Sequence, residues 1–288
     1  MGYAPIFAYL GLEGYLLNLA LREGTQHCQK GTPGFLRQTI GLVRTYLKEI
    51  RLLARLDSGN DALENIRVCL EEDVDWLIKR NLRKESTDAW LKYAQKCGEY
   101  SQPREGKQVW RGDLFVRRAG FDQPLRIVYE ATLRTVDSKG QYLLVPDLQM
   151  NTFWTSLTDS PDKVCELYRD HGTSEQFHSE LKSDMDLDRL PSGKFATNAL
   201  FLLLGMLAYN ILRICGQEGL RGDTWVEAAR KSNIRKPVKR RRIRNIIQDL
   251  MYLGCRVIRH ARRVILSFGA GEAWYPVWGQ IYLRWSGG

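Results

Sequence analysis

The sequence lacks the features of metal-binding scaffolds and secreted proteins. Its six cysteines are scattered without a C-x-x-C pair, and it has only four histidines. This pattern argues against a zinc ribbon and favours a reducing cytosol. No basic leader precedes the first apolar segment, which argues against a signal peptide. The longest apolar run, residues 199–212, is too short to cross a bilayer about 30 Å thick, so we expect a buried helix in a soluble protein.

Acidic residues are scarce in the last fifth of the chain. From Arg230 onward, Asp249 and Glu272 are the only acids beside 14 basic residues, so this segment carries all the excess of the +10 net charge. Its densest run comprises Lys239, Arg240, Arg241, Arg242 and Arg244. Such a run repels itself unless an anion lies nearby, which favours a nucleic-acid partner over a solvated basic face.

The hydrophobic pattern of the first 84 residues alternates between strand and helix. It predicts strands over 3–11 and 15–21, a helix over 33–47 capped by Thr32, a strand over 50–56, a helix opened by an Asp61–Glu64 capping box, and a strand over 75–81. This order indicates an α/β layer architecture.

The predicted type of secondary structure changes twice along the remaining two thirds of the chain. Short strands between turn signals over residues 85–150 predict an antiparallel β insertion, and residues 152–157 resemble a core strand. A long helix opens at Pro161, and an apolar helix covers 195–214. The basic region is predicted to contain a helix over 240–266, with an apolar stripe of Ile243, Ile247, Leu250, Val257 and Val264.

Two places could carry chemistry. At helical spacing, four side chains of the helix from Pro161 share one narrow face: Tyr168, His171, Glu175 and Lys182. A carboxylate beside phosphate-binding groups suits metal-assisted phosphodiester chemistry, although a solvated face often has the same composition. Asp57 ends a predicted strand, at the edge where ligands gather in open α/β sheets. A simple cap and turn explains Asp57 equally well.

The segments 56–61 and 167–182 resemble the DDE transposases of bacterial insertion sequences. Tyr168, Glu175 and Lys182 fit the family signature Tyr-x2-Arg-x3-Glu-x6-Lys, with His171 in the Arg position. The resemblance covers essentially the whole chain. It implies an RNase H-like core interrupted by a β-rich insertion, with Asp57 as the second catalytic acid and Glu175 as the third.

The resemblance also implies an activity and partners. The family cleaves transposon ends with Mg²⁺ or Mn²⁺, and the freed 3′-hydroxyl then attacks target DNA. By this likeness Asp57 and Glu175 ligate metal, Tyr168 and Lys182 hold phosphates, and the basic run from Lys239 to Arg244 clamps DNA. His171 is a weaker substitute for Arg, because imidazole is largely neutral at pH 7 and lacks a bidentate fork. We expect double-stranded DNA as partner, a possible homodimer, no membrane, and a cytoplasmic, nucleoid-associated location.

The first acid of the family triad has no counterpart. Residues 1–56 contain no Asp, and Glu13, Glu23 and Glu49 stand at unsuitable positions. The resemblance therefore predicts a truncated copy whose core lacks its first strand and exposes unpaired edges, with weak or absent metal binding. The expected parts are 1–84 (first part of the core), 85–150 (insertion), 151–218 (second part of the core) and 219–288 (basic helical region).

Two other interpretations stay open. His171, Glu175 and His178 could ligate iron, but a di-iron site needs a second Glu-x2-His, which the chain does not contain. Alternatively, the chain is a non-catalytic regulator that binds DNA or dimerises with an intact transposase. The DNA upstream of the Met1 codon would distinguish a truncated gene from a separate regulatory product.

Overall fold

The chain folds into two compact units in a computed structural model, which describes residues 2–25, 27, 29–137, 139–169, 172–221, 240–268 and 272–287. Residues 25–172 form the first, the sheet unit, and residues 1–24 with 173–288 form the second, the helical unit. The mixture of helices with a multistranded sheet confirms the α/β class.

The sheet unit alternates strands and helices before an antiparallel extension. Its elements are α1 (Thr32–Tyr46), β3 (Leu53–Leu56), a 3₁₀ turn (Ser58–Asn60), α2 (Leu63–Glu71), β4 (Asp75–Lys79), α3 (Thr87–Cys97), β5 (Glu99–Arg104), β6 (Lys107–Val116), β7 (Leu125–Val136), β8 (Tyr142–Thr155) and α4 (Pro161–Arg169). The six strands lie in the order β3-β4-β8-β7-β6-β5. Only β3 and β4 are parallel in this sheet, and its other pairs are antiparallel.

Helices cover both faces of this sheet. Successive residues of a strand point to opposite faces, so each strand contributes buried side chains to a cluster on either side. Trp76 and Ile78 of β4 pack in a cluster with residues of α1 and α2. Leu77, between them, joins the opposite cluster, which includes Val164 of α4. The helix α3 packs on the first face, where Ala94 contacts the cluster around Tyr129.

The region predicted as an insertion differs from expectation in its elements. The helix α3 was not anticipated, although Ser86 caps it by accepting a hydrogen bond from the N–H of Ala89. Where short strands were predicted, the strand β6 is ten residues long, and β8 runs without a break through Met150. Long strands form here because each pairs along its length with a neighbour. The division into four parts stays a prediction.

The helix α1 was predicted with the wrong cap. It begins at Thr32, one residue earlier than predicted, and its N-cap is Gly31 with φ 79°. The Thr32 hydroxyl instead donates to Asn60 Oδ1 at 3.2 Å. The side chain therefore links the start of the helix to the 3₁₀ turn after β3.

The helical unit contains a short hairpin and a helical core. Its elements are β1 (Ile6–Leu10), β2 (Tyr15–Ala20), α5 (Gly172–Ser179) with a π turn (Glu180–Asp184), α6 (Phe195–Gly219), α7 (Ile243–Ile246) with a π turn (Ile247–Met251), β9 (Cys255–His260), β10 (Arg263–Phe268) and α8 (Tyr275–Trp285). The predicted strands β1 and β2 are confirmed and pair antiparallel. The core joins Leu16 of β2 to Tyr209 of α6, Ile246 of α7 and Val277 of α8.

The predicted long basic helix is wrong beyond Met251. Residues 255–268 form the antiparallel hairpin β9–β10, with Arg263 opposite His260. Ala261 and Arg262, the two turn residues, have φ of 47° and 63°. Positive φ at both positions is the geometry that matches the twist of a two-residue hairpin. The β-branched residues of this segment favour strands, so the helical stripe was coincidental.

The helix α6 is longer and more exposed than the predicted buried helix. It has 25 residues, and by length and composition alone it could cross a membrane, a property shared with core helices of folded domains. One side packs through Leu202 and Tyr209. The other side is exposed, with large apolar residues Leu200, Leu203, Leu204, Leu207, Ile211 and Ile214. The expectation of a buried helix is therefore correct for one side only.

Candidate functional site

Asp57 stands where the sequence placed it, directly after a strand. It follows β3, which runs parallel to β4, and its backbone is extended with φ −77° and ψ 176°. The side chain is exposed, and Oδ1 accepts a hydrogen bond of 2.8 Å from Asn60 Nδ2. The carboxylate is thus oriented by its own turn while it remains accessible to a ligand.

Asp61, four residues later, has a different role from the predicted helix cap. The helix α2 begins at Leu63 with Ala62 as N-cap and no side-chain cap bond. Asp61 is buried and accepts hydrogen bonds from Trp154 Nε1 and the Asn81 backbone N–H. It therefore anchors the loop that carries Asp57.

Glu175 and Lys182 both belong to the helical segment after residue 171. Glu175 is exposed in the first turn of α5, and Lys182 is exposed in the π turn that follows. A π turn contains more residues than an α-helical turn, so the 100° spacing used to place Lys182 on the face of Glu175 does not apply beyond Ser179. Lys182 makes no ion pair within the described part of the chain.

Tyr168 belongs to the sheet unit. It lies near the end of α4, half-buried, with its ring centroid 4.7 Å from that of Phe153 in β8. His171 lies outside the described residues. Asp57 is in the sheet unit and Glu175 in the helical unit, so the approach of the two carboxylates stays a prediction.

A buried ion-pair cluster follows Glu175 in the helical unit. Glu180 and Arg213 are fully buried and contact each other, and Tyr209 OH also contacts both. The second oxygen of Glu180 accepts from Arg240 Nη1 at 2.6 Å. One buried carboxylate therefore contacts two guanidinium groups through its two oxygens, and a buried charge is tolerated when it is paired and hydrogen-bonded in this way.

Three arginines of the basic run have anionic partners within the helical unit. Arg240 contacts Glu180, as described above. The guanidinium of Arg242 donates to both oxygens of Asp184, at 2.8 and 2.9 Å. Arg241 is buried against Asp249, and burial lowers the pKa of Arg241 and raises that of Asp249. The anions that this run requires are therefore supplied in part by the chain itself.

Other cations remain exposed. In the described residues, the side chains of Arg244 and of the hairpin β9–β10 form no ion pair, and Lys239 lies outside those residues. The hairpin cations are Arg256, Arg259, His260, Arg262 and Arg263. Arg263 pairs with His260, and Arg256 lies four residues before His260 in the same strand. The three side chains therefore lie on one face of the hairpin. A DNA-binding role for the run from Lys239 to Arg244 stays a prediction.

The candidate metal ligands have suitable chemistry. Carboxylate oxygens are the ligands that Mg²⁺ takes from proteins, usually one or two beside water and substrate phosphate. Asp57 and Glu175 both expose such groups. Among the described side chains, however, no cluster of three or more His, Cys, Asp or Glu comes together.

Sequence reasoning missed the residues whose roles depend on distant partners. Glu180 and Asp184 showed no local signal, because their arginine partners lie some 60 residues away in sequence. For Asp61, the local pattern of Asp three residues before Glu64 suggested the wrong partner. A signal for the hairpin did exist, in the β-branched pairs 257–258 and 264–265 on either side of a short polar segment.

Comparison with known families agrees with the resemblance seen in the sequence. Residues 1–284 match the model of a family described as transposase DDE domain, group 1. A search of curated proteins finds no match to the chain.

Proposed function

The chain belongs to the transposase DDE domain group 1 family, and we propose that it binds transposon-end and target DNA but does not by itself complete the catalytic triad. The family supports a function in DNA transposition, with DNA as partner and a divalent metal as cofactor. The observation that carries the proposal is the family match over residues 1–284. In the matched region, Asp57 directly follows a strand that is parallel to its neighbour, and its side chain is exposed.

In this proposal Asp57 and Glu175 are the second and third catalytic acids. Both are exposed carboxylates, and neither belongs to the buried networks of its unit. Mg²⁺ or Mn²⁺, when bound, would supply Lewis-acid stabilisation of phosphodiester cleavage. Asn60 orients the carboxylate of Asp57 through the 2.8 Å hydrogen bond, and Asp61 anchors the loop beneath it.

Phosphate contacts are assigned from the family signature and from exposed cations. Lys182 on the π turn and Tyr168 on α4 follow from the signature, as does His171, which lies outside the described residues. Arg244 and the exposed face of the hairpin β9–β10 supply the C-terminal positive charge. Arg240, Arg241 and Arg242 contribute less in this proposal, because each already contacts a carboxylate.

The proposal that the catalytic triad is incomplete rests on the amino-acid composition of residues 1–56. Residues 1–56 contain no Asp, and the family's first acid precedes the segment that includes Asp57. Two carboxylates hold a pair of divalent ions poorly, because a two-metal site needs ligands that bridge ions about 4 Å apart. The proposed result is DNA binding with little or no cleavage.

The test is cleavage of end-sequence DNA by the purified chain with Mg²⁺ or Mn²⁺. We expect DNA binding without nicking. Nicking that disappears in Glu175→Gln would contradict the proposed incompleteness and would establish Glu175 as catalytic. A chain that fails to bind DNA at all would contradict the proposed function.

A second candidate function is a non-catalytic regulator that binds DNA or forms a dimer with an intact transposase. The exposed cationic hairpin favours this candidate, because DNA contact needs no triad. Adding the chain to an active transposase of the family would distinguish the two. A regulator lowers strand transfer at stoichiometric amounts, whereas an inert chain does not.

A further inference from the structure

A cationic cleft lies on one face of the six-stranded sheet, within the sheet unit. Its volume is about 640 Å³. Alternate residues of β6, β7 and β8 form its floor, and α4 forms one wall: Lys107, Arg111, Glu130, Thr132, Arg134, Gln149, Asn151, Phe153, Cys165, Tyr168 and Arg169. The helix α4 covers the apolar part of this face, around Val128, and the cleft opens where the helix ends.

The cleft has an excess of positive charge. Five cations line it (Lys79, Lys107, Arg111, Arg134 and Arg169), against one lining carboxylate, Glu130. Arg111 and Arg169 share Glu130, and Arg111 also contacts Asp162 at 2.6 Å. Arg134 contacts Asp147 at 2.8 Å and is only 28% exposed. The arginines are therefore held in place by neighbouring carboxylates.

The two lysines differ from the arginines. In the part of the chain that the structure describes, the ammonium groups of Lys79 and Lys107 make no ion pair. Lys79 ends β4 and pairs with Phe153, whereas Lys107 begins β6 and pairs with Arg134. The two charges thus stand at different strands of the cleft, and no described carboxylate forms an ion pair with either.

We propose that this cleft binds the sugar-phosphate backbone of a single DNA strand, with Lys79 and Lys107 neutralising phosphates. This inference rests on the proposed function, which supplies DNA as the partner. Ammonium groups bind phosphates as point charges, and the side chains of Gln149 and Asn151 on the floor can hydrogen-bond sugar or base atoms. Tyr168 adds an aromatic wall, which is the other common component of single-strand grooves.

Size favours one strand over a duplex. A cavity of about 640 Å³ matches a ligand of one or two nucleotides. The major groove of a duplex alone is about 12 Å wide, so an intact duplex would contact only the rim. A strand separated from its complement could place its backbone on the floor.

The test measures anisotropy of labelled oligonucleotides, one single-stranded and one duplex of the same length, with the full chain. We expect Lys79→Gln/Lys107→Gln to lower single-strand affinity about tenfold or more. Since each phosphate contact on a single strand adds about 0.7 to the slope of log affinity against log salt, the slope should fall by about 1.4. The control is Lys92→Gln/Lys96→Gln on α3, which removes the same charge from exposed positions on the opposite face of the sheet.

A second variant leaves both lysines in place. Gln149→Glu adds a carboxylate to the floor and can still accept the hydrogen bond from Arg134. It should also weaken single-strand binding. Unchanged binding in both cleft variants would overturn the proposed role of the cleft, and so would an equal loss of affinity in the α3 control. A larger loss of affinity for the duplex than for the single strand would also overturn it. Absence of any DNA binding by the unmodified chain would instead overturn the proposed function.

Discussion

The indole Nε1 of Trp154 donates a hydrogen bond of 2.9 Å to Oδ1 of Asp61, between residues 93 positions apart in the sequence. The other carboxylate oxygen accepts the backbone N–H of Asn81 at 2.9 Å. Asp61 therefore joins the ends of β4 and β8 to the loop after β3. Asp57, the candidate ligand, depends on this connection for its position.

We expect Asp61→Ala to lower the free energy of unfolding of the sheet unit by about 2–4 kcal/mol, because a buried indole N–H and a partly buried backbone N–H lose their acceptor. Asp57→Ala should change it by less than about 0.5 kcal/mol, since Asp57 is exposed. Urea unfolding followed by tryptophan fluorescence measures both. Equal midpoints for the two variants would contradict the anchoring role of Asp61.

A second pair of variants compares a buried carboxylate of the helical unit, Glu180, with an exposed one, Glu175. Glu180→Gln leaves the buried guanidinium of Arg213 without a balancing charge, so we expect a loss of about 3–5 kcal/mol. Glu175→Gln, five residues earlier and exposed, should leave the stability nearly unchanged. The measurement is thermal or urea unfolding of the matched pair, and a stable Glu180→Gln protein would refute the cluster.

The hairpin β9–β10 should contribute to duplex binding through one face. Arg256→Gln/Arg263→Gln removes two exposed cations that point the same way. We expect a weaker affinity for all duplex sequences and a salt slope smaller by about 1.8, because each phosphate contact on duplex DNA contributes about 0.9. Arg240→Gln is the comparison: it should lower stability more than DNA affinity, since Arg240 contacts Glu180.

Acid should weaken a surface ion pair between Arg51, just before β3, and Asp75 at the start of β4. The hydrogen bond from Arg51 Nε, 2.5 Å long, is the main reason why the pKa of Asp75 lies below its usual value. A folded pKa below the unfolded one, about 3.9, adds stability above pH 4 that is lost as pH falls through the folded pKa. The difference in urea midpoint between the unmodified chain and Arg51→Gln should therefore be present at pH 6 and should shrink as the pH falls below 4. A difference that acid does not reduce would contradict this assignment.

Cysteine reactivity should follow burial. Burial raises the pKa of the Cys69 and Cys165 thiols to about 12, so almost no thiolate exists at pH 8. Cys97 and Cys255 are exposed. We expect iodoacetamide to modify these two rapidly in the folded chain and to spare Cys69 and Cys165 until urea is added, as peptide mass mapping would show. Early modification of Cys165 would indicate that α4 detaches from the sheet.

Local patterns predicted the elements that depend on local interactions. The strand that ends at Asp57 and its turn are confirmed, because Asp57, Ser58 and Gly59 form a turn through short-range contacts. The order of the first six elements is confirmed as well. Errors arose where two periodicities competed, as over 255–266, where an apolar stripe at helical spacing coexists with β-branched residues that pair across a hairpin.

The amino-acid sequence by itself determined the α/β class and the carboxylate at the end of β3, because hydrophobic period and turn residues act over a few positions, and its motifs indicated the family. Tertiary structure alone decided which charges are available to a ligand. The sequence predicted that Arg240 binds DNA and that Asp61 caps a helix, yet folding brings Glu180 to the first and Trp154 to the second. Electrostatic and hydrogen-bond partners are chosen by distance in space, which residue spacing does not encode.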